Sequence, residues 1–155
     1  MKLVNKTGDS LDWSKSFMYS IHQTYFLVQK KLEHKLQKVG NISFSQFLIL
    51  LPLHCKGHAS QSDIADYLHL TEATVSRHIN SLSKDGILTR KEDPDNRRKH
   101  ILALTPKGVK EFTNTHRVIE FELKNIFEVI PVKDRMLITK AFDTVLEKLV
   151  SQNEK

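Results

Sequence analysis

The sequence predicts a mainly α-helical protein with one small β-hairpin, and three observations support this fold class. Apolar residues recur at helical spacing through several long segments of the chain. Between residues 87 and 104 the spacing changes to a period of two, which is typical of strands. The five glycines fall where these segments stop or turn. With 155 residues, the chain has room for one domain or for two small lobes that share a core.

The composition is that of a folded globular protein with a basic surface. Hydrophobic residues make up 39% of the chain and charged residues 27%, so we expect disorder only at the ends. The net charge of +6 favours a polyanionic partner. We expect a cytoplasmic protein without a membrane partner, because there is no secretory segment after Met1 and no apolar run that could span a bilayer. The single cysteine excludes an internal disulfide framework.

Two helices are predicted in the first third of the chain. The first runs from about Leu11 to Val39 and contains neither proline nor glycine until Gly40 stops it. The second begins at Ser43 and ends near Lys56. Both carry apolar residues near helical spacing, so each is expected to bury one face.

Two short helices follow, joined by a tight turn. Ser60, with Asp63 three residues later, forms a variant of the capping box that opens the first of them. Thr71 is a good N-cap for the second, which is about three turns long and stops at Gly86. A small residue, Ala65, lies where the two helices would cross. This pattern is a helix-turn-helix, whose second helix contacts DNA bases.

The second short helix has an apolar inner stripe and a polar, basic outer face. Val75, Ile79 and Leu82 mark the inner stripe. Any solvated helix has a polar outer face, but this one carries the side chains that recognise base edges and phosphates in a major groove. The predicted DNA contacts of this helix are Thr71, Ala73, Thr74, Ser76, Arg77, Asn80, Ser81 and Lys84. Those of the first short helix are Ser60, Gln61 and Ser62.

A basic hairpin follows Gly86. One short strand is predicted from Ile87 to Lys91 and another from Lys99 to Leu104, with turn residues at 93–96 between them. Between Thr71 and Lys110 there are nine Lys or Arg and five Asp or Glu, so most of the excess charge falls here. Three adjacent cations at the hairpin tip are better explained by binding to a narrow, electronegative minor groove than by simple exposure to solvent. We call this hairpin the wing, and its predicted DNA contacts are Arg97, Arg98 and Lys99.

Two long helices are predicted to complete the chain. The first runs from Pro106 to Ile130, and the second from Val132 to Val150 after the break at Pro131. Together with the first long helix they carry more apolar surface than one small lobe could cover, so we expect packing against a second copy. In the last helix the residues expected to be buried are Met136, Leu137, Phe142, Val145, Leu146 and Leu149.

Five linked motifs occur in order between Asn41 and Gly108: Ser62 to Ala65, Thr74 to Arg77, Leu82 to Leu88, Asp93 to Arg98, and Leu104 to Gly108. In these motifs the chain resembles the winged helix-turn-helix of the MarR family of bacterial and archaeal transcription regulators. The resemblance implies a DNA-binding lobe at residues 41–108, a helical dimerisation lobe at 11–39 and 106–150, and an effector-responsive crevice between them. The family often has aspartate where this chain has Asn96, so Arg98 is expected to be held less rigidly.

These features predict a homodimeric transcription regulator that binds an inverted repeat in double-stranded DNA. We expect it to repress transcription and not to activate it. A small-molecule, metal or redox effector would change its affinity by preferring one of two spacings of the recognition helices. A sequence-tolerant architectural DNA-binding protein is one alternative, and a winged helix used for protein contacts is another. No cofactor is predicted. The chain has no phosphate loop or nucleophile motif, which argues against an enzyme.

A weaker candidate for chemistry lies at the end of the second helix. His54, Cys55 and His58 offer soft or borderline metal ligands, and Cys55 could sense oxidants as a reactive thiol. The alternatives are a helix end decorated with histidines and a cysteine that acts as a small buried hydrophobe. We expect the buried cysteine and predict no metal site here.

Overall fold

The computed structural model describes residues 13–40, 42–92 and 100–153, which form six helices and three short strands. It confirms the predicted fold class, mainly α with a small β wing. The helices are α1 (Trp13–Val39), α2 (Phe44–Lys56), α3 (Gln61–Leu68), α4 (Glu72–Lys84), α5 (Pro106–Phe127) and α6 (Val132–Asn153). The strands are β1 (Ala59–Ser60), β2 (Leu88–Glu92) and β3 (His100–Leu104).

The chain divides into two compact units, and the division falls within α5, between Glu120 and Phe121. The first unit holds α1 to α4, the three strands and the N-terminal part of α5. The second holds the rest of α5 and α6. The predicted partition into a helical lobe at residues 11–39 and 106–150 and a DNA-binding lobe at 41–108 stays a prediction.

The core of the first unit is organised around α2, which contacts α1, α3, α4 and the sheet. Leu50 on α2, Ile64 on α3, Ile79 on α4 and Leu102 on β3 are all buried. Burying one such side chain stabilises the fold by about 1.5–3 kcal/mol relative to leaving it exposed. This packing holds α3 and α4 against α2.

The hairpin predicted between residues 87 and 104 belongs to a three-stranded antiparallel sheet of order β1-β3-β2. Leu88 pairs with Leu104 across β2 and β3, and β1 adds the pair of Ala59 with Leu102. The expectation of a two-stranded hairpin was incomplete, because a strand of two residues is too short to show a period. Ile87 is buried but precedes β2 instead of beginning it.

Capping boxes begin α2 and α3. The Ser43 Oγ accepts from the Gln46 backbone N–H at 3.1 Å, and the Gln46 side chain accepts from the Ser43 N–H at 2.9 Å. Ser60 and Asp63 form the same reciprocal pair at 3.1 and 2.9 Å, which confirms the predicted start of α3. Each box satisfies two backbone donors that the helix cannot satisfy itself. Pro52 lies inside α2 without ending it.

Large apolar side chains of α1 and α6 are exposed on the single chain. On α1, Leu32 and Leu36 are buried, whereas Tyr25 and Phe26 towards its N-terminal end are exposed. The burial expected for the apolar face of α6 is not complete within one chain, where its large apolar side chains remain exposed. The exposed residues are those predicted to be buried, namely Met136, Leu137, Phe142, Val145, Leu146 and Leu149. Among the described helices, none has the length and hydropathy needed to cross a membrane.

Candidate nucleic-acid interface

Helices α3 and α4 form the predicted helix-turn-helix, and backbone hydrogen bonds close its turn. His69 caps α3 in the left-handed conformation with a φ of 52°, and the Leu70 N–H donates to the Ala65 carbonyl at 2.9 Å. Ala65 is buried, and α3 contacts α4. A small side chain where two helices cross allows such a close approach. These bonds hold the end of α3 close to the start of α4.

Helix α4 has the two faces that its sequence predicts. Val75, Ile79 and Leu82 are buried against the rest of the first unit. On the outward side, Thr71, Ala73, Arg77, Asn80, Ser81 and Lys84 are exposed, and Thr74 and Ser76 are half-buried at its edges. All eight predicted contact residues of this helix therefore lie at or beside its solvent face.

Several predicted contact hydroxyls also hold α4 in place. The Thr71 Oγ1 accepts from the Thr74 backbone N–H at 3.3 Å and lies 3.0 Å from the Thr74 hydroxyl. The Ser81 hydroxyl accepts from the Gln46 side-chain amide at 3.4 Å, which links α4 to α2. Because a hydroxyl has one donor and two acceptor positions, these side chains keep capacity for a phosphate or a base edge.

The three predicted residues of α3 gather at its N-terminus. The Ser60 and Ser62 hydroxyls lie 2.9 Å apart. The Gln61 Nε2 donates to the Glu72 Oε2 at 3.3 Å and lies 3.5 Å from the Glu72 backbone carbonyl oxygen. This contact joins the first residue of α3 to the first residue of α4. The sequence reasoning missed Glu72, although it is the only acidic residue of the recognition helix.

The base of the wing is tied to the end of α4 and the start of α5. The Thr105 hydroxyl donates to the Gly86 carbonyl at 2.7 Å and accepts from the Gly108 N–H at 3.0 Å. The Lys107 Nζ donates to the Asp85 carbonyl at 2.7 Å. A Cβ on Gly108 would overlap the Ile87 carbonyl oxygen, so only glycine allows this close approach.

The predicted tip of the wing, with its turn at 93–96 and the cations Arg97, Arg98 and Lys99, lies outside the described residues. On the described part of the wing, Arg90 and Lys91 of β2 are exposed. The sequence reasoning did not select these two cations, although their position on a strand that leads to a basic tip was a signal for them.

The candidate metal or redox residues do not form a closed site. His54, Cys55 and His58 are all exposed, so the expectation of a buried cysteine is wrong. The reason is the position of Cys55 in the last turn of α2, one residue after His54, whose ring stacks on Phe112 at a centroid distance of 4.2 Å. Within the residues that the structure describes, no three His, Cys, Asp or Glu side chains cluster as metal ligands would.

The geometry described so far is that of a winged helix-turn-helix, and the sequence model of the MarR family matches residues 42–100. That match begins just before α2 and includes both helices of the helix-turn-helix and the wing up to the start of β3. In this segment the chain is similar to the MarR family. This match, together with curated relatives described as HTH-type transcriptional regulators, supports a transcription regulator and not an enzyme.

Two relatives of this chain come from Bacillus subtilis (strain 168), and both are uncharacterized HTH-type transcriptional regulators. YwoH is 29% identical over 110 residues, which are 70% of this chain and 79% of YwoH. YdgJ is 25% identical over 111 residues, which are 72% of this chain and 68% of YdgJ. These alignments extend well beyond the matched family segment.

Solved structures of MarR-type regulators share the fold. A mutant of MarR from E. coli complexed with operator DNA has a TM-score of 0.79 at 16% identity, covering 90% of this chain and 99% of that one. The organohalide-sensing regulator RdhR in its 2,4-dichlorophenol-bound form also has a TM-score of 0.79, at 19% identity, covering 94% of this chain and 88% of that one. At these identities the likeness concerns the fold alone.

Proposed function

We propose that this chain is a MarR-type regulator that binds an inverted-repeat operator in double-stranded DNA and represses transcription. The observation that carries the proposal is the exposed face of α4, which is polar and basic in a helix of the kind that enters the major groove. On this face Arg77 and Asn80 make paired hydrogen bonds to base edges. The wing contacts, Arg97, Arg98 and Lys99, bind phosphates and the minor groove.

The supporting comparison is the E. coli MarR structure, which was solved with operator DNA. Its fold is shared by this chain over most of its length. A protein that acts on genomic DNA in this way works in the cytoplasm, and its net charge of +6 suits a polyanionic partner.

The proposal includes a homodimer formed by the long helices. Exposed apolar side chains on α1 and α6, including Tyr25, Phe26, Met136 and Leu146, form patches that a soluble monomer rarely leaves uncovered. A twofold dimer would present two copies of α4 to one side of a duplex, about one helical turn or ~34 Å apart. The matching operator is therefore an inverted repeat.

Repression and its relief complete the proposal. A dimer seated on a promoter blocks polymerase, and an effector releases it by preferring a different spacing of the two recognition helices. A cavity of about 270 Å³ between the end of α1 and α5, lined by Leu36, Val39, Lys110 and Thr115 among others, is one place for a small molecule. The RdhR structure with 2,4-dichlorophenol is a precedent for a ligand in this fold. The exposed Cys55 leaves a redox effector as a second form of the same proposal.

The first test is to select bound fragments of the source genome with the purified protein at near-physiological salt, and to sequence them. We expect a shared inverted repeat, bound at least 10³-fold more tightly than random duplex. The matched control is the same selection with a variant in which Arg77 and Asn80 are both alanine, which should recover no shared sequence.

Fragments without a shared sequence would contradict the specific regulator. An architectural DNA-binding protein would produce that result, with an affinity that falls steeply with salt and hardly depends on sequence. Transcription from a promoter that carries the recovered repeat then tests repression, since the protein should lower transcript yield in a purified system. A rise in yield would show an activator instead.

A further inference from the structure

Glu72 is an acidic residue in a surface that is otherwise suited to a polyanion. It is the first residue of α4 and the only acidic one in that helix, and its side chain is exposed. Near DNA, the phosphates repel a carboxylate. This repulsion is offset only where the carboxylate accepts a hydrogen bond from a donor on a base. Such an acid therefore either weakens binding to every sequence or selects for a particular base.

The contact with Gln61 fixes where this carboxylate points. The Gln61 Nε2 donates to the Glu72 Oε2 at 3.3 Å, and Gln61 is itself the first residue of α3. Since an ionised carboxylate accepts through both oxygens and about four lone pairs, the amide contact leaves it capacity for another donor. Side chains of a helix tilt towards its N-terminus, so the Glu72 side chain extends past the end of α4.

We propose that Glu72 is a specificity-determining residue that recognises a cytosine in the operator, with Gln61 as its positioning residue. This inference rests on the proposed function, because it requires that α4 enters the major groove with its N-terminal residues at the base edges. In that groove cytosine presents the N4 amino donor, which pairs with a carboxylate. Guanine presents only the acceptors N7 and O6, and thymine the acceptor O4, so both repel it. Adenine has a donor at N6 but an acceptor at N7 beside it.

The competing interpretation is that Glu72 only stabilises its own helix. An acid in the first turn interacts favourably with the partial positive charge at a helix N-terminus. That role affects the folded protein and the overall affinity for DNA, but it makes no difference between base pairs. Base preference therefore separates the two interpretations.

The experiment uses the full-length protein and the operator obtained from the genomic selection. Each base pair of one half-site is replaced in turn by the other three, and the dissociation constants are measured by fluorescence anisotropy. For the unmodified protein we expect one position at which cytosine is preferred over guanine and thymine by about 5- to 150-fold. Glu72→Gln should change the preference at that position from cytosine to adenine, because a glutamine amide pairs with N6 and N7 of adenine.

Gln61→Ala should reduce the discrimination at the same base pair, since it removes the contact that orients the carboxylate. A loss of affinity that is equal for all duplexes would report the separate contact of Gln61 with DNA and leave the discrimination as the test. Asp66→Asn is the matched control, because Asp66 is an exposed acid on α3 that lies outside this contact. It should leave all base preferences as they are.

Two outcomes would overturn the inference. If Glu72→Gln keeps the cytosine preference, or changes affinity equally for all duplexes, Glu72 acts through its charge alone while the sequence-specific regulator stands. If the unmodified protein shows no preferred sequence, the proposed function fails first and the role of Glu72 fails with it.

Discussion

Helices α4 and α6 both carry apolar side chains, but these side chains are buried on α4 and exposed on α6 in the part of the chain that the structure describes. On α4, Val75, Ile79 and Leu82 expose 2% of their surface or less. On α6, Met136 exposes 74% and Leu146 56%. A periodic pattern is a property of one helix, whereas burial depends on what packs against it. The two helices therefore offer different surfaces: α4 presents polar and basic side chains, and α6 presents apolar ones.

This difference separates two kinds of stability. The apolar stripe of α4 contributes to the folding of a single chain, since its contacts lie within the first unit. The apolar face of α6 stabilises the protein only when another surface covers it. Substitutions in the two helices should therefore change different measured quantities.

Leu82→Ala should lower the free energy of unfolding by about 2–5 kcal/mol, because it leaves a cavity in a fully buried part of the core. The measurement is urea denaturation at one fixed protein concentration. Lys84→Ala, at an exposed position of the same helix, is the control and should change the value by no more than about 0.5 kcal/mol. Equal losses in the two variants would contradict the assignment of Leu82 to the core.

Leu146→Asp should weaken self-association by about 3 kcal/mol, since two copies of the side chain, each contributing about 1.5 kcal/mol or more, would lose apolar burial. The dissociation constant from sedimentation equilibrium should rise at least 100-fold. Lys148→Ala on the same helix, also exposed, should leave it nearly unchanged. A dimer that survives Leu146→Asp intact would show that this face of α6 is not the interface.

Gly108→Ala tests the joint that connects α4, the wing and α5. We expect a loss of about 1–3 kcal/mol in the free energy of unfolding, because the added Cβ would overlap the Ile87 carbonyl oxygen, which cannot move freely. Gly40→Ala is the matched control, since its Cβ would meet its nearest neighbour at 3.5 Å, an ordinary contact. Thermal unfolding of both variants measures the difference, and equal melting temperatures would contradict the close approach.

Local chemistry made much of the fold predictable. Ser60 with Asp63, the N-cap Thr71 and the stop at Gly86 depend on neighbours within a few residues, and the structure has all of them where the sequence predicts. The stripe of α4 was equally clear. The features that were missed depend on distant parts of the chain: β1 exists because Ala59 meets Leu102 across the sheet, which no local pattern encodes.

The candidate site was predictable in its outline and less so in its details. The polar face of α4 follows from helical spacing, so residues such as Arg77 and Asn80 could be selected from the sequence alone. The Gln61–Glu72 contact could not, because it joins two helices through a turn whose geometry decides the distance. Cys55 was expected to be buried because free cysteines usually are, but its position at the end of α2 leaves it exposed.

Arg77→Ala should leave the stability of the protein within about 0.5 kcal/mol of the original, because the side chain is exposed. Its effect should appear in DNA binding, as a loss of about 1–3 kcal/mol that is confined to one or two base pairs of the operator, where a paired hydrogen bond to guanine is lost. Affinity for the operator and for single base-pair variants of it measures this loss. Arg117→Ala on α5, another exposed arginine, is the control and should change none of these values. An equal loss on every duplex would mean that Arg77 contacts only phosphates, and the base recognition assigned to the outer face of α4 would then have to come from its other residues.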